Sequence, residues 1–84
     1  MIRIKENILD KNTIAIEVDG VLDQLAIPVL ETVCDRNLVA EKRVVLNLEG
    51  VLHITREGRG FLRGIEEKVQ IANLPEFMKL EQEC

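Results

Sequence analysis

The spacing of apolar residues changes at Leu22 and again at Arg43, and these changes of period limit the chain to one broad class of fold. Ile2, Ile4 and, less regularly, Ile8 alternate with Arg3, Lys5 and Glu6, the pattern of a half-buried strand at a sheet edge. Asp10-Lys11-Asn12 has turn chemistry, after which Ile14, Ile16 and Val18 alternate with Thr13, Ala15 and Glu17. Two alternating runs across a short polar turn predict a hairpin, and Asp19-Gly20 is expected to end its second strand. Beyond Leu22 the residues Ala26, Ile27, Leu30, Val33, Cys34 and Leu38 recur at helical spacing. Pro28 fits near the start of that helix, where its missing N–H is no loss. Asp23 or Gln24 falls near the N-cap, and the helix should fade around Val39 to Glu41.

Arg43 to Leu48 reads RVVLNL, an apolar run typical of a strand covered on both faces. Glu49-Gly50 reads as a break, and Val51 to Ile54 carries the chain on in extended form. Thr55 is the expected N-cap of a second helix running to roughly Glu67, with Phe61, Leu62 and Ile65 on one side. Lys68 to Ala72 alternates again, and Pro75 opens a last short helix that Phe77, Met78 and Leu80 would dock. The order is β-β-α-β-α-β-α, with parallel pairings through right-handed crossovers. The expected fold is α/β: one domain over residues 1–84, a four-stranded mixed sheet with about three helices packed on it.

Composition narrows the function classes. The chain has 84 residues, 46% hydrophobic and 31% charged, which suits one small globular domain with a modest core. Aromatic residues are 2% of the total, Phe61 and Phe77, and the net charge is −4; both disfavour a nucleic-acid platform built on base stacking and phosphate neutralisation. One histidine, His53, and two cysteines, Cys34 and Cys84, do not make a structural zinc site, and no cofactor is expected. His53 reads as hydrogen-bonded structure at a strand end. Cys34 reads as core, and Cys84 as an exposed thiol. No apolar stretch approaches the ~18 residues of a membrane helix and the N-terminus is no signal peptide, so the chain reads as a cytoplasmic protein without membrane insertion.

Gly20-Val21-Leu22-Asp23 ahead of a helix, then VVLNLEGV and a strand leading into Thr55-Arg56-Glu57-Gly58, together resemble the STAS domain, the fold shared by sulfate transporters and anti-sigma-factor antagonists. That family has a G-x-L-D motif before its first helix and a D-L-S-G-V strand before its second. Here these stand as Gly20 to Asp23 and as Asn47-Leu48-Glu49-Gly50-Val51, and the resemblance runs from about Met1 to Leu80. Phosphorylatable members carry Asp-Ser-Ser-Gly at the start of the second helix. In this chain only Gly58 is unchanged, and Arg56, which cannot accept a phosphoryl group, stands at the acceptor position. Thr55 aligns with the family's Asp and serves as the cap. The chain is also shorter than the usual member. The resemblance implies a non-catalytic regulatory module that binds a protein, an anti-sigma kinase-like protein or a transporter subunit, without the usual serine phosphoswitch.

Two features of the second helix stand out against an acidic chain. Arg56, Arg59 and Arg63 fall within about 60° of one another at helical spacing, opposite Phe61, Leu62 and Ile65. They read either as a solvated face paired with Glu57, Glu66 and Glu67 or as a docking face for an acidic surface or phosphate-bearing ligand. Gly60 and Gly64 lie on the other flank. They fit close packing on the sheet, early fraying, or a notch for a partner backbone. The expected partner-binding residues are Thr55, Arg56, Glu57, Arg59, Gly60 and Arg63. The alternative is a small-ligand or nucleotide sensor in a cleft formed by Asp19, Gly20, Asp23 and Thr55, at the carboxyl ends of parallel strands. No nucleophile elbow, P-loop or acid–base constellation is present. The exposed first strand could also pair with a second copy to make a homodimer.

Overall fold

The computed structural model describes residues 2–74. The elements are β1 (Ile2–Asp10), β2 (Thr13–Leu22), α1 (Ile27–Val39), β3 (Arg43–Ile54), α2 (Arg56–Ile65) and β4 (Gln70–Ala72). They form one four-stranded sheet in the order β1-β2-β3-β4. The β1–β2 pairing is antiparallel, and the β2–β3 and β3–β4 pairings are parallel. The mixed α/β sheet read from the sequence is therefore present, with two helices among the described residues. The expected third helix, with Phe77, Met78 and Leu80, lies outside them.

Both parallel steps move the same way across the sheet. Right-handed crossovers then place α1 and α2 on one face. Buried side chains agree: Ile14, Ile16 and Val18 of β2 and Val44, Leu46 and Leu48 of β3 pack in one cluster with Leu30 and Cys34 of α1 and Leu62 and Ile65 of α2. The alternate residues Thr13, Ala15, Glu17, Val45 and Asn47 are only half-buried. This corrects the expectation that RVVLNL is covered on both faces. Val45 is partly screened by its strand neighbours Ala15 and Gln70, which lie opposite it in register, and by neither of the described helices.

The break expected at Glu49-Gly50 is a strand irregularity. Between the pairs Glu17–Asn47 and Asp19–Gly50, β3 spends one residue more than β2, and it does so again between Gly20–Val51 and Val21–His53. Each extra residue behaves as a bulge that keeps the ladder going while re-aiming side chains. Buried positions on β3 accordingly shift from a two-residue to a three-residue step, at Leu48, Val51 and Ile54, and Leu52 is left 79% exposed. The backbone of Glu49 donates to the Asn47 side chain at 3.0 Å across the first bulge. On β2, Gly20 holds φ at 103°, a value that a residue without Cβ tolerates. The second strand thus passes through Asp19-Gly20 to Leu22 and does not end there.

Helix boundaries follow local chemistry. Asp23 Oδ1 accepts from the backbone of Leu25 at 3.1 Å and of Ala26 at 3.0 Å, capping a turn ahead of α1, whose own N-cap is Ala26 and not the expected Asp23 or Gln24. Pro28 occupies the first positions of α1 as its missing donor requires. At the other end, Glu41 N–H donates to Leu38 O at 2.9 Å and Lys42 N–H to Asn37 O at 3.1 Å, the two bonds of a Schellman cap. Glu41 sits at φ 62°, where glycine is the usual occupant. α2 closes at Ile65, short of Glu67, because Lys68 and Val69 turn back onto the Ile65 carbonyl.

Candidate functional site

The carboxyl ends of β2 and β3 meet the start of α2 at a tightly bonded junction. Thr55 N–H donates to the Leu22 carbonyl at 3.0 Å, and its hydroxyl lies 3.4 Å from the same oxygen. That hydroxyl also accepts from Gly58 N–H at 3.2 Å, which satisfies one of the orphan donors of the helix start. Thr55 is thus the N-cap expected from the sequence, with its oxygen engaged inside the junction. Gly58 is buried and is the glycine that the packing requires. A Cβ built there would stand 2.5 Å from Leu22 O and 3.0 Å from Ile54 Cγ2.

Gly60 and Gly64 behave differently. Both are exposed, and a Cβ at either would meet nothing among the described residues within 4 Å. The reading that they pack closely on their own sheet is therefore corrected: that role falls to Gly58. The two exposed glycines border a groove of about 260 Å³ between α1 and α2, whose other walls are Glu31, Asp35, Phe61 and Lys68. Its α1 wall carries two carboxylates one turn apart, and Phe61 supplies apolar surface.

Arg56 and Arg63 are exposed and Arg59 is half-buried, so the three arginines do not form a uniform stripe. Among the described residues neither Arg56 nor Arg63 makes an ion pair; the pair found within 4 Å joins Arg36 to Glu6 at 2.8 Å. The expected pairing of the exposed arginines with Glu57 and Glu66 is absent there. Glu57 sits in the first turn of α2, where a carboxylate suits the positive end of the helix dipole. Next to the junction, Leu52 and His53 are exposed on the bulged end of β3, a consequence of the two extra residues that the sequence reading did not anticipate.

The second proposed cleft does not come together in the same way. Asp19 lines a small cavity with Glu17, Asn47, Glu49 and Gly50. Asp23 lines a different one, with Ile2, Leu25, Ala26 and Val29. Thr55 faces inward to Leu22. The parallel strands also follow one another without reversal, so the sheet has no switch point of the kind that opens ligand crevices in doubly wound folds. Among the described residues no group of three or more histidines, cysteines or carboxylates could hold a metal ion, and no helix is long and apolar enough to cross a membrane.

The strand order, the two crossovers and the junction at Thr55 together define a STAS-type fold. Among solved structures the chain is similar to the anti-sigma factor antagonist SpoIIAA in its unphosphorylated form, with a TM-score of 0.64 at 16% sequence identity. The likeness covers 81% of this chain and 61% of that one, so the chain spans less than two thirds of the length of the protein it matches. At this identity the likeness carries the fold, the one that the Gly20–Asp23 and Asn47–Val51 motifs implied. No protein-family model matches the sequence, and no curated protein does.

Proposed function

We propose that the chain is a non-catalytic, cytoplasmic regulatory module that recognises another protein through α2 and the junction ahead of it, with Thr55, Arg56, Glu57, Arg59, Gly60 and Arg63 in that surface. One observation carries this reading. Each helix-interior glycine costs about 1 kcal/mol against alanine, and at Gly60 and Gly64 no packing among the described residues uses the missing side chain. The space they leave adjoins the α1–α2 groove on one side and the exposed guanidinium groups of Arg56 and Arg63 on the other. A partner backbone can approach such a notch closely while an acidic rim pairs with the arginines.

The similarity to an anti-sigma factor antagonist supports a protein as the kind of partner, either an anti-sigma kinase-like protein or a transporter subunit. The phosphoswitch of relatives is not part of the proposal, because Arg56 occupies the acceptor position and the Thr55 hydroxyl caps the helix. The small-ligand alternative at Asp19, Gly20, Asp23 and Thr55 has weaker support, since the two aspartates line separate cavities.

Affinity capture from native cytosol, followed by mass spectrometry, tests the reading when three baits are compared. The wild-type chain should retain a specific protein that Arg56→Glu/Arg63→Glu loses. Gly60→Gln/Gly64→Gln should lose it too while melting at a higher temperature. Equal recovery on all three baits would remove α2 as the recognition surface. A Tm rise with a nucleotide or metabolite panel would favour the sensor instead.

A further inference from the structure

The geometry points to a second interaction surface, separate from α2 and independent of its proposed role: the free edge of β1 pairs antiparallel, across a two-fold axis, with β1 of a second copy of this chain. β1 is nine residues long and is the outer strand of the sheet. It contains no proline, and its backbone away from β2 is a template for another strand. Such edges are ordinarily guarded by inward-pointing charges. The one charge available for that on the helix-covered face, Glu6, is drawn away toward α1, where its carboxylate accepts from Arg36 at 2.8 Å and from Asn37 at 3.0 Å.

The two ends of this edge are complementary to each other. At the end nearest the hairpin turn, Ile8 and Leu9 are 73% and 61% exposed. At the opposite end, Ile2 borders a largely apolar cleft of about 380 Å³ formed with Leu25, Ala26 and Val29 at the start of α1, where Leu25 is 85% exposed. An antiparallel two-fold brings the Ile8 end of each copy beside the Ile2 end of the other, so each copy offers both the protruding side chain and the cleft. That is the self-complementarity an isologous interface needs.

Charge disfavours the parallel alternative. In a pairing centred on Glu6, Lys5 faces Asn7 on the open side of the sheet and Ile4 faces Ile8 on the side of α1, while Glu6 meets its own copy across the axis with each carboxylate turned to Arg36 and Asn37 of its own chain. A parallel pairing would set Arg3 and Lys5 against their own copies, and like charges directly opposite are unfavourable. The Ile8 side chain then reaches Ile4 directly and Ile2 on the diagonal, at the mouth of the cleft.

Sedimentation equilibrium of the full chain in reducing buffer, up to several hundred micromolar, tests the proposal. The expected mass rises with concentration to twice the 9.6 kDa of one chain. Ile8→Lys and Leu25→Lys should each return it to a single chain, whereas Leu52→Lys, two strands away, should not. Because Ile8 and Leu25 are exposed, both variants should fold, as an unchanged far-ultraviolet spectrum would report. Hydrogen exchange gives a second readout, with the β1 amides that face away from β2 protected in the wild type and fast in Ile8→Lys. A chain that stays monomeric throughout would leave the edge to a different protein and overturn the proposal. So would a dimer that survives Ile8→Lys or is equally lost in Leu52→Lys.

Discussion

The three glycines of α2 allow one substitution to be tried in opposite environments within a single helix. In Gly58→Ala the new methyl would lie 2.5 Å from the Leu22 carbonyl oxygen, whereas carbon atoms sit comfortably about 3.5 Å from a neighbour. Relief requires α2 to withdraw from β2 by the better part of an ångström. That stretches the Thr55 N–H bond to the same carbonyl, now 3.0 Å. Overpacking of this kind costs roughly 1–3 kcal/mol, and a weakened hydrogen bond adds about 0.5–1.5 kcal/mol. Alanine returns up to ~1 kcal/mol through helix propensity. The net expectation is a loss of about 1–3 kcal/mol, or a Tm lower by on the order of 10 °C for a domain of this size.

Gly60→Ala, where nothing among the described residues lies within 4 Å, should instead gain about 0.5–1 kcal/mol and melt several degrees higher. Thermal and urea unfolding of both variants, followed by circular dichroism, measure the contrast. If Gly58→Ala melts at or above the wild-type temperature, the close approach of α2 to Leu22 is wrong and so is the account of the junction.

Three further outcomes follow from local chemistry. Glu41→Gly should stabilise the chain by about 0.5–1 kcal/mol, read as a higher urea midpoint, because Glu41 occupies a left-handed cap position at φ 62°. Hydrogen bonds from Asn37 and then Arg36 hold the Glu6 carboxyl below its ordinary 4.5. The stability it contributes is therefore complete above that value and is lost as pH falls through the lowered folded value. The urea midpoint should decline as pH falls below about 5 and on through that lowered value, and Glu6→Gln should flatten the decline. Burial, with the Asp35 charge behind it, pushes the Cys34 thiol up to about 11. In a Cys84→Ser chain a disulfide reagent should therefore label Cys34 only as fast as the protein opens, with labelling speeding in step with added urea.

The elements that announce themselves by period were legible in the sequence. The hairpin, the α1 stripe and the Thr55 cap each depend on residues close together in the chain. What was not legible depends on partners far along it. Gly50 reads locally as a strand end, yet β2 lies alongside and holds the strand together through two bulges. Gly58, Gly60 and Gly64 look alike in sequence, and only the Leu22 carbonyl distinguishes the first from the others. In RVVLNL the valine at 45 looked as covered as its neighbours, because apolar character does not reveal whether a helix or merely an adjacent strand shields it. At the candidate site the arginines were placed correctly on one helix, but their unequal exposure and the emergence of Leu52 beside them depend on tertiary packing.

Among the described residues both helices lie on one face of the sheet, and this divides each central strand into two populations that should accept change at different rates. Val44, Leu46 and Leu48 are enclosed by both helices, and any shift in their volume is felt across the core. Val45 and Asn47, on the same strand, are half-buried and lie outside the cluster that α1 and α2 cover. A saturation library across positions 44–48, sorted for folded protein, should therefore tolerate polar residues at every second position and reject them at the ones between. The chain can drift more widely on the face away from α1 and α2 while its fold stays fixed.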